Sequence, residues 1–137
     1  MIKIELISEW MKIFPDAICL DEIYFRERNS VGTLIYELTL STHQFEYIIN
    51  PFYENFRELK PESLIYKYYS KDYENGDWDE EQEEECQSVE EFYNHLLEKR
   101  QIICVFTEVT EAYNELLKIC ESTMKNKNKL FVFSEYL

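Results

Sequence analysis

Apolar positions along this chain follow two different periods. From Thr33 to Leu40, the apolar residues Leu34, Tyr36, Leu38 and Leu40 alternate with Thr33, Glu37 and Thr39, the period of two expected of a half-buried strand. Residues 17–27 (AICLDEIYFRE) are rich in strand formers, and Asp21 and Glu22 break the alternation as a bulge or sheet edge would. Between these runs, Asn29-Ser30-Val31-Gly32 is a turn signal, so 17–40 is predicted to form an antiparallel hairpin. The following HQFEYIIN stretch is a candidate third strand, ended by Pro51. A short irregular or helical piece then runs to Leu59, and Pro61 precedes another β-rich segment from Leu64 to Tyr69. The N-terminus supports two readings. Ile4, Ile7, Met11 and Phe14 share one helical face over residues 3–14, whereas Ile2, Ile4 and Leu6 alternate with Lys3 and Glu5 as in a short strand.

In the C-terminal third the period becomes helical. Ser88-Val89-Glu90-Glu91 fits a capping box, and Val89, Phe92, Tyr93, Leu96 and Leu97 form one apolar face of a helix over 88–99. Residues 101–106 (QIICVF) are almost wholly apolar, the mark of a strand covered on both faces. Thr107 can cap a second helix whose stripe is Val109, Ala112, Tyr113, Leu116, Leu117 and Cys120, and KLFVF at 129–133 is a final strand. Strand, helix, strand predicts a βαβ unit with parallel strands. The fold class is therefore α+β: a single domain over 1–137, with an antiparallel hairpin or meander in the N-terminal half, a C-terminal βαβ unit, and helices packed on a mixed sheet.

Composition narrows the class of molecule. With 137 residues, 45% hydrophobic and 16% aromatic, the chain can bury one core without covalent staples. Cys19, Cys86, Cys104 and Cys120 lack the close pairs of a zinc site and the density of a disulfide scaffold, so they are read as free thiols. Cys19, Cys104 and Cys120 fall at apolar positions, while Cys86 is the one candidate for exposure, its thiol pKa raised by neighbouring carboxylates. Glu5 and Glu9 interrupt what would be the apolar stretch of a signal peptide, and no 18-residue apolar run exists. A cytoplasmic location and no membrane partner are expected.

The net charge of −14 is strongly localised. Twelve acidic residues and no Lys or Arg lie between Asp72 and Glu98, whereas the remaining residues carry 16 acidic and 14 basic side chains. An acidic loop is predicted at about 72–87. Such a block produces a directional field that disfavours direct nucleic-acid binding and steers a basic protein partner. Tyr73, Glu74, Asp77, Trp78, Asp79, Glu80, Glu81, Glu83, Glu84 and Glu85 form the candidate partner-binding set, the two aromatics supplying apolar anchors, with Tyr66, Tyr68 and Tyr69 just upstream. The competing reading is a solvated loop that leads into the helix at Ser88.

Catalytic signatures are weak. Gly32 and Gly76 sit in no phosphate-binding context, and His43 and His95 form no ligand pair. Asp77, Asp79 and Glu81 have the spacing of an EF-hand start, but Gln82 stands where glycine is needed and Ser88 where the bidentate glutamate is needed. No cofactor, no metal and no enzymatic activity are expected. Lys125-Asn-Lys-Asn-Lys129 is read as an exposed loop.

In its general character and in the Asp72–Glu85 segment, the chain resembles, as a class, the small acidic immunity proteins with which bacteria neutralise toxins, often nucleases. The resemblance implies a stoichiometric inhibitor that occludes a cationic active site. A nucleic-acid mimic directed at a host DNA- or RNA-binding protein is the alternative, and a small enzyme the third reading.

Overall fold

A computed structural model describes residues 1–7, 12, 21–74, 83–104 and 107–135. In chain order the elements are β1 (Ile2–Glu5), β2 (Glu22–Arg28), β3 (Leu34–Ser41), α1 (Thr42–Ile49), a 3₁₀ segment (Asn50–Glu58), α2 (Leu64–Glu74), β4 (Glu84–Glu85), α3 (Val89–Glu98), α4 (Arg100–Ile103), α5 (Thr107–Lys125) and β5 (Lys129–Glu135). The strands form one mixed sheet in the order β1-β3-β2-β5-β4, with β1 parallel to β3 and every other pair antiparallel. The α+β class with helices on a mixed sheet is thus the observed one.

The hairpin forms where the alternation placed it. Phe25 pairs with Leu38 and Ile23 with Leu40, all four fully buried. The turn is closed by Asn29, whose Oδ1 accepts from the amides of Val31 (3.1 Å) and Thr33 (3.0 Å). Gly32 sits at φ 86°, left-handed backbone that glycine adopts without a Cβ clash. The bulge lies between Glu27 and Arg28, at the turn end of β2 and not at Asp21 and Glu22.

At the N-terminus the strand reading holds for Ile2–Glu5, while Ile7 and Lys12 are helical. The rest of the 3–14 helix expectation and residues 17–20, including Cys19, lie outside the described residues.

Two segments expected as strands are helices. Of residues 43–50, 43–49 fall in α1 and Asn50 opens the 3₁₀ segment; Ser41 Oγ accepts from the Gln44 amide (3.0 Å) and Gln44 Oε1 from the Ser41 amide (2.8 Å), a complete capping box. Leu64–Tyr69 opens α2, whose first turn is held by Ser63 Oγ accepting from the Tyr66 amide. In both helices the buried residues are spaced i, i+1, i+4, i+5 (Gln44, Phe45, Ile48, Ile49; Leu64, Ile65, Tyr68, Tyr69), so packing overrides the strand propensity of Phe, Tyr and Ile.

A third correction removes the βαβ unit. Residues 100–103 of the expected 101–106 strand form the short helix α4, with Ile103 buried and Ile102 59% exposed. Among the described residues the neighbours of β5 are β2 and β4, both antiparallel to it. Helices α3 and α5 stand where their stripes predicted them. They are joined by Tyr113, fully buried in α5, whose hydroxyl donates to the Leu96 carbonyl at 2.8 Å. Leu96 is in the last turn of α3, where carbonyls lack helical partners. Tyr113→Phe is expected to lower unfolding free energy by about 1–2 kcal/mol in urea titration, because the buried carbonyl loses its donor; an unchanged midpoint would show that the bond contributes nothing.

The Lys125–Lys129 loop is ordered by its asparagines. Lys127 adopts φ 55° and the Asn128 amide donates to the Thr123 carbonyl, closing α5 in a Schellman arrangement. Asn128 Nδ2 then donates to Oε2 of Glu27 at 2.6 Å, and Asn126 Nδ2 reaches the same oxygen at 3.5 Å. Glu27 is a fully buried carboxylate on the core side of β2, so these amides supply what solvent cannot. Lys125, Lys127 and Lys129 stay exposed, as expected of this loop.

Candidate protein-binding surface

The acidic run divides into parts with different surroundings. Tyr73 and Glu74 close α2. Asp77, Trp78, Asp79, Glu80 and Glu81 lie outside the described residues. Glu83, Glu84 and Glu85 reach the edge of the sheet, where Glu84 pairs with Val132 and Glu85 with Phe131, and the Cys86 amide donates to the Leu130 carbonyl.

Each of these three carboxylates meets a cation of the chain itself. Glu83 Oε1 accepts from Arg28 Nε at 2.9 Å, while its Oε2 lies 3.9 Å from Arg26 Nη1. Glu84 pairs with Lys67 of α2 at 2.8 Å, and Glu85 with Lys129 of β5 at 3.8 Å. Side chains of Glu83 and Glu84 are only 19% and 21% exposed. Residues 83–85 are therefore anchors that fasten the end of the acidic segment to β2, α2 and β5.

Beside the anchor, the face of the sheet away from the main core carries a layered charge site. Tyr24 and Phe133 stack with centroids 4.6 Å apart, and the Arg26 guanidinium lies 4.5 Å over Phe133. Arg26 Nε donates to Glu37 at 2.7 Å, with side-chain exposures of 14% and 7%. The Tyr24 hydroxyl donates to Glu22, and burial, followed by that carboxylate, pushes the Tyr24 phenol above its ordinary range. These groups are tied to one another, which makes them a structural core between charges.

Tyr66, Tyr68 and Tyr69 do not project from the surface. Tyr68 and Tyr69 are buried, packed against Phe45 and Phe56, and Tyr66 contacts Phe56 at 5.9 Å. Among the described residues the exposed aromatics are Tyr47 (46%), which the strand reading of 43–50 hid, and Tyr53 (48%), in the stretch read as irregular or helical. The capping signal Ser41-x-x-Gln44 could have revealed Tyr47, because it fixes the helical phase and sets Tyr47 between buried Gln44 and Ile48 on the solvent side.

Cys86 differs from its expectation. It is 4% exposed, and burial comes before the carboxylates of Glu85 and Glu91 in raising its thiol to about 12, against lowering by Lys67. Cys120 is fully buried and its thiol is raised by burial first. Cys104 is half-buried. His43 is exposed; His95 tilts against Phe52 and lines an open groove of about 300 Å³ with Ser88, Glu90, Glu91 and Asn94. The Nδ1 of His95 is buried without a hydrogen-bond partner. Among the described residues no three His, Cys, Asp or Glu side chains converge as a metal site, and no helix is long and apolar enough to cross a membrane.

No protein-family model, curated protein or solved structure matches the chain.

Proposed function

We propose that this chain is an acidic inhibitor that binds one basic protein, in the manner of an immunity protein occluding the cationic cleft of a toxin such as a nuclease. The supporting observation is the division of labour within the acidic run. Glu83, Glu84 and Glu85 are held by Arg28, Lys67 and Lys129, so on this reading Asp77, Trp78, Asp79, Glu80 and Glu81 are the residues left to meet a partner. A dense carboxylate run joined to an anchored stretch concentrates its field over one patch of a partner. On this reading Tyr73, Glu74 and residues 77–81 make contact, whereas 83–85 hold them in place.

Two sets of substitutions separate these roles. In capture from a lysate of the source organism at low salt, Asp77→Asn, Asp79→Asn, Glu80→Gln and Glu81→Gln together are expected to lose a basic protein that the wild type retains. The same variant should slow association about tenfold and leave the unfolding midpoint unchanged. Glu83→Gln, Glu84→Gln and Glu85→Gln together should lower the midpoint and retain capture at temperatures where the fold persists. Recovery of the same proteins by wild type and the 77–81 variant would sink the proposal.

A further inference from the structure

We infer that Tyr47 and Tyr53 form a second contact ledge, one that receives arginine side chains of the basic partner; this rests on the function proposed above. α1 runs directly into the 3₁₀ segment, so positions 47, 50 and 53 succeed one another at intervals of three along one stripe. Both tyrosines on that stripe are about half exposed, unlike the buried aromatics behind them. Tyr53 is also fixed in place. Its ring meets Tyr69 edge-on at 5.3 Å, and Tyr69 is itself held by Phe56 at 5.1 Å and by its hydroxyl donating to the Ile49 carbonyl at 3.2 Å. A rigid, half-exposed aromatic loses little freedom on binding, which is the property of an interface anchor.

Charge identifies the occupant. Glu46, Glu54 and Glu58 are exposed along the same stretch, against Arg57 as its one Lys or Arg. Glu46 is positioned by the Tyr68 hydroxyl, which donates to it at 2.8 Å. Exposed carboxylates and exposed rings on one stretch suit a guanidinium, which pairs with the one and stacks on the other; an ammonium gains less from the ring. The chain already uses this chemistry next door, where Arg57 lies 4.6 Å over Phe56. Tyr69, which Tyr53 meets edge-on, lies in α2, the helix that leads toward the acidic run. A second copy of this chain, at net charge −14, is a poor occupant.

The test titrates octa-arginine and octa-lysine peptides into the full chain at low salt, by calorimetry and by NMR of the tyrosine ring protons. The wild type is expected to bind octa-arginine about fivefold more tightly than octa-lysine, with ring shifts at Tyr47 and Tyr53. Tyr47→Leu with Tyr53→Leu should reduce that preference to less than about twofold, whereas Tyr47→Phe with Tyr53→Phe should keep it, since the ring face remains. Neutralising residues 77–81 should weaken both peptides in proportion and preserve the preference. A preference that survives the leucine variant, or rings unshifted by octa-arginine, overturns the ledge. Peptide affinities untouched by the 77–81 neutralisation count instead against the acidic dock. A wild-type dimer dissociated by the leucine variant assigns the ledge to a second copy and also overturns the inference.

Discussion

Arg26→Met is expected to cost about 3–5 kcal/mol of unfolding free energy, the range for removing one partner of a buried ion pair. The methionine keeps an apolar stem against Phe133 and Tyr24, so the loss is chiefly electrostatic. Glu37, 7% exposed in its side chain, would keep its charge with its 2.7 Å partner gone. Glu83 would lose the more distant of its two cations, because its Oε2, buried without a hydrogen bond, lies 3.9 Å from Arg26, while its Oε1 would keep Arg28 at 2.9 Å. The check is urea denaturation of wild type, Arg26→Met, Glu37→Leu and the double variant. The double variant should recover much of the loss, since paired removal of a buried ion pair leaves no orphan charge. A loss below about 1 kcal/mol in the single variant would mean that water reaches Glu37 and that the pair behaves as a surface one. The anchor at Glu83 should weaken with Arg26, so this variant couples the sheet to the proposed interface.

The parts of the fold that the sequence announced are those whose signals are local. Leu34 to Leu40 alternate, and their strand forms; Val89 to Leu97 and Val109 to Cys120 repeat at helical spacing behind Ser88 and Thr107, and their helices form. The failures have one cause. Phe45, Tyr47, Ile48 and Ile49, then Leu64, Ile65, Tyr66, Tyr68 and Tyr69, have strand-like composition, but Ser41 and Ser63 bond the amides of a first turn and start helices there. Short apolar runs carry the same ambiguity, as Ile102 and Ile103 show by facing opposite ways from one turn of α4. Among the described residues 100–103 are helical, and β5 pairs antiparallel with β2 and β4.

Legibility of the candidate site has a different limit. Counting charges located the acidic run, but no local pattern tells a tethering carboxylate from a free one. Glu83 meets Arg28 across 55 positions of sequence, and Lys67 and Lys129 come from a helix and a strand on either side of the run. The buried state of Cys86 is equally non-local: its amide is held by the Leu130 carbonyl, so the residue after the anchor is drawn under β5. A sequence that reads as an exposed thiol among glutamates is in the folded chain a core thiol beside them.

That burial sets the second large effect, an alkaline loss of stability that begins near pH 9. The Cys86 thiol, ordinarily at 9.0, is pushed up to about 12 in the folded chain, with desolvation as the leading cause. Below pH 9 the thiol is protonated in both states and the full stability is present. Between pH 9 and 12 the unfolded chain releases its proton while the folded chain retains it, so stability falls by about 1.4 kcal/mol per pH unit, reaching about 4 kcal/mol. Cys120, Tyr24, Tyr36, Tyr93 and Tyr113 are shifted in the same direction, each with burial as its first cause, and add to the slope as the pH passes their unfolded values. Urea midpoints measured from pH 7 to 11 should therefore hold level and then drop. In Cys86→Ala the drop should be shallower by about 1.4 kcal/mol per pH unit above pH 9, whatever the variant costs at neutral pH. Parallel slopes for the two proteins would mean that the thiol is solvated, and with it that the segment following Glu83, Glu84 and Glu85 is not packed under the sheet. The acidic anchor and the alkaline limit are thus tested by the same residue, because Cys86 directly follows β4 and its amide bonds the Leu130 carbonyl of β5.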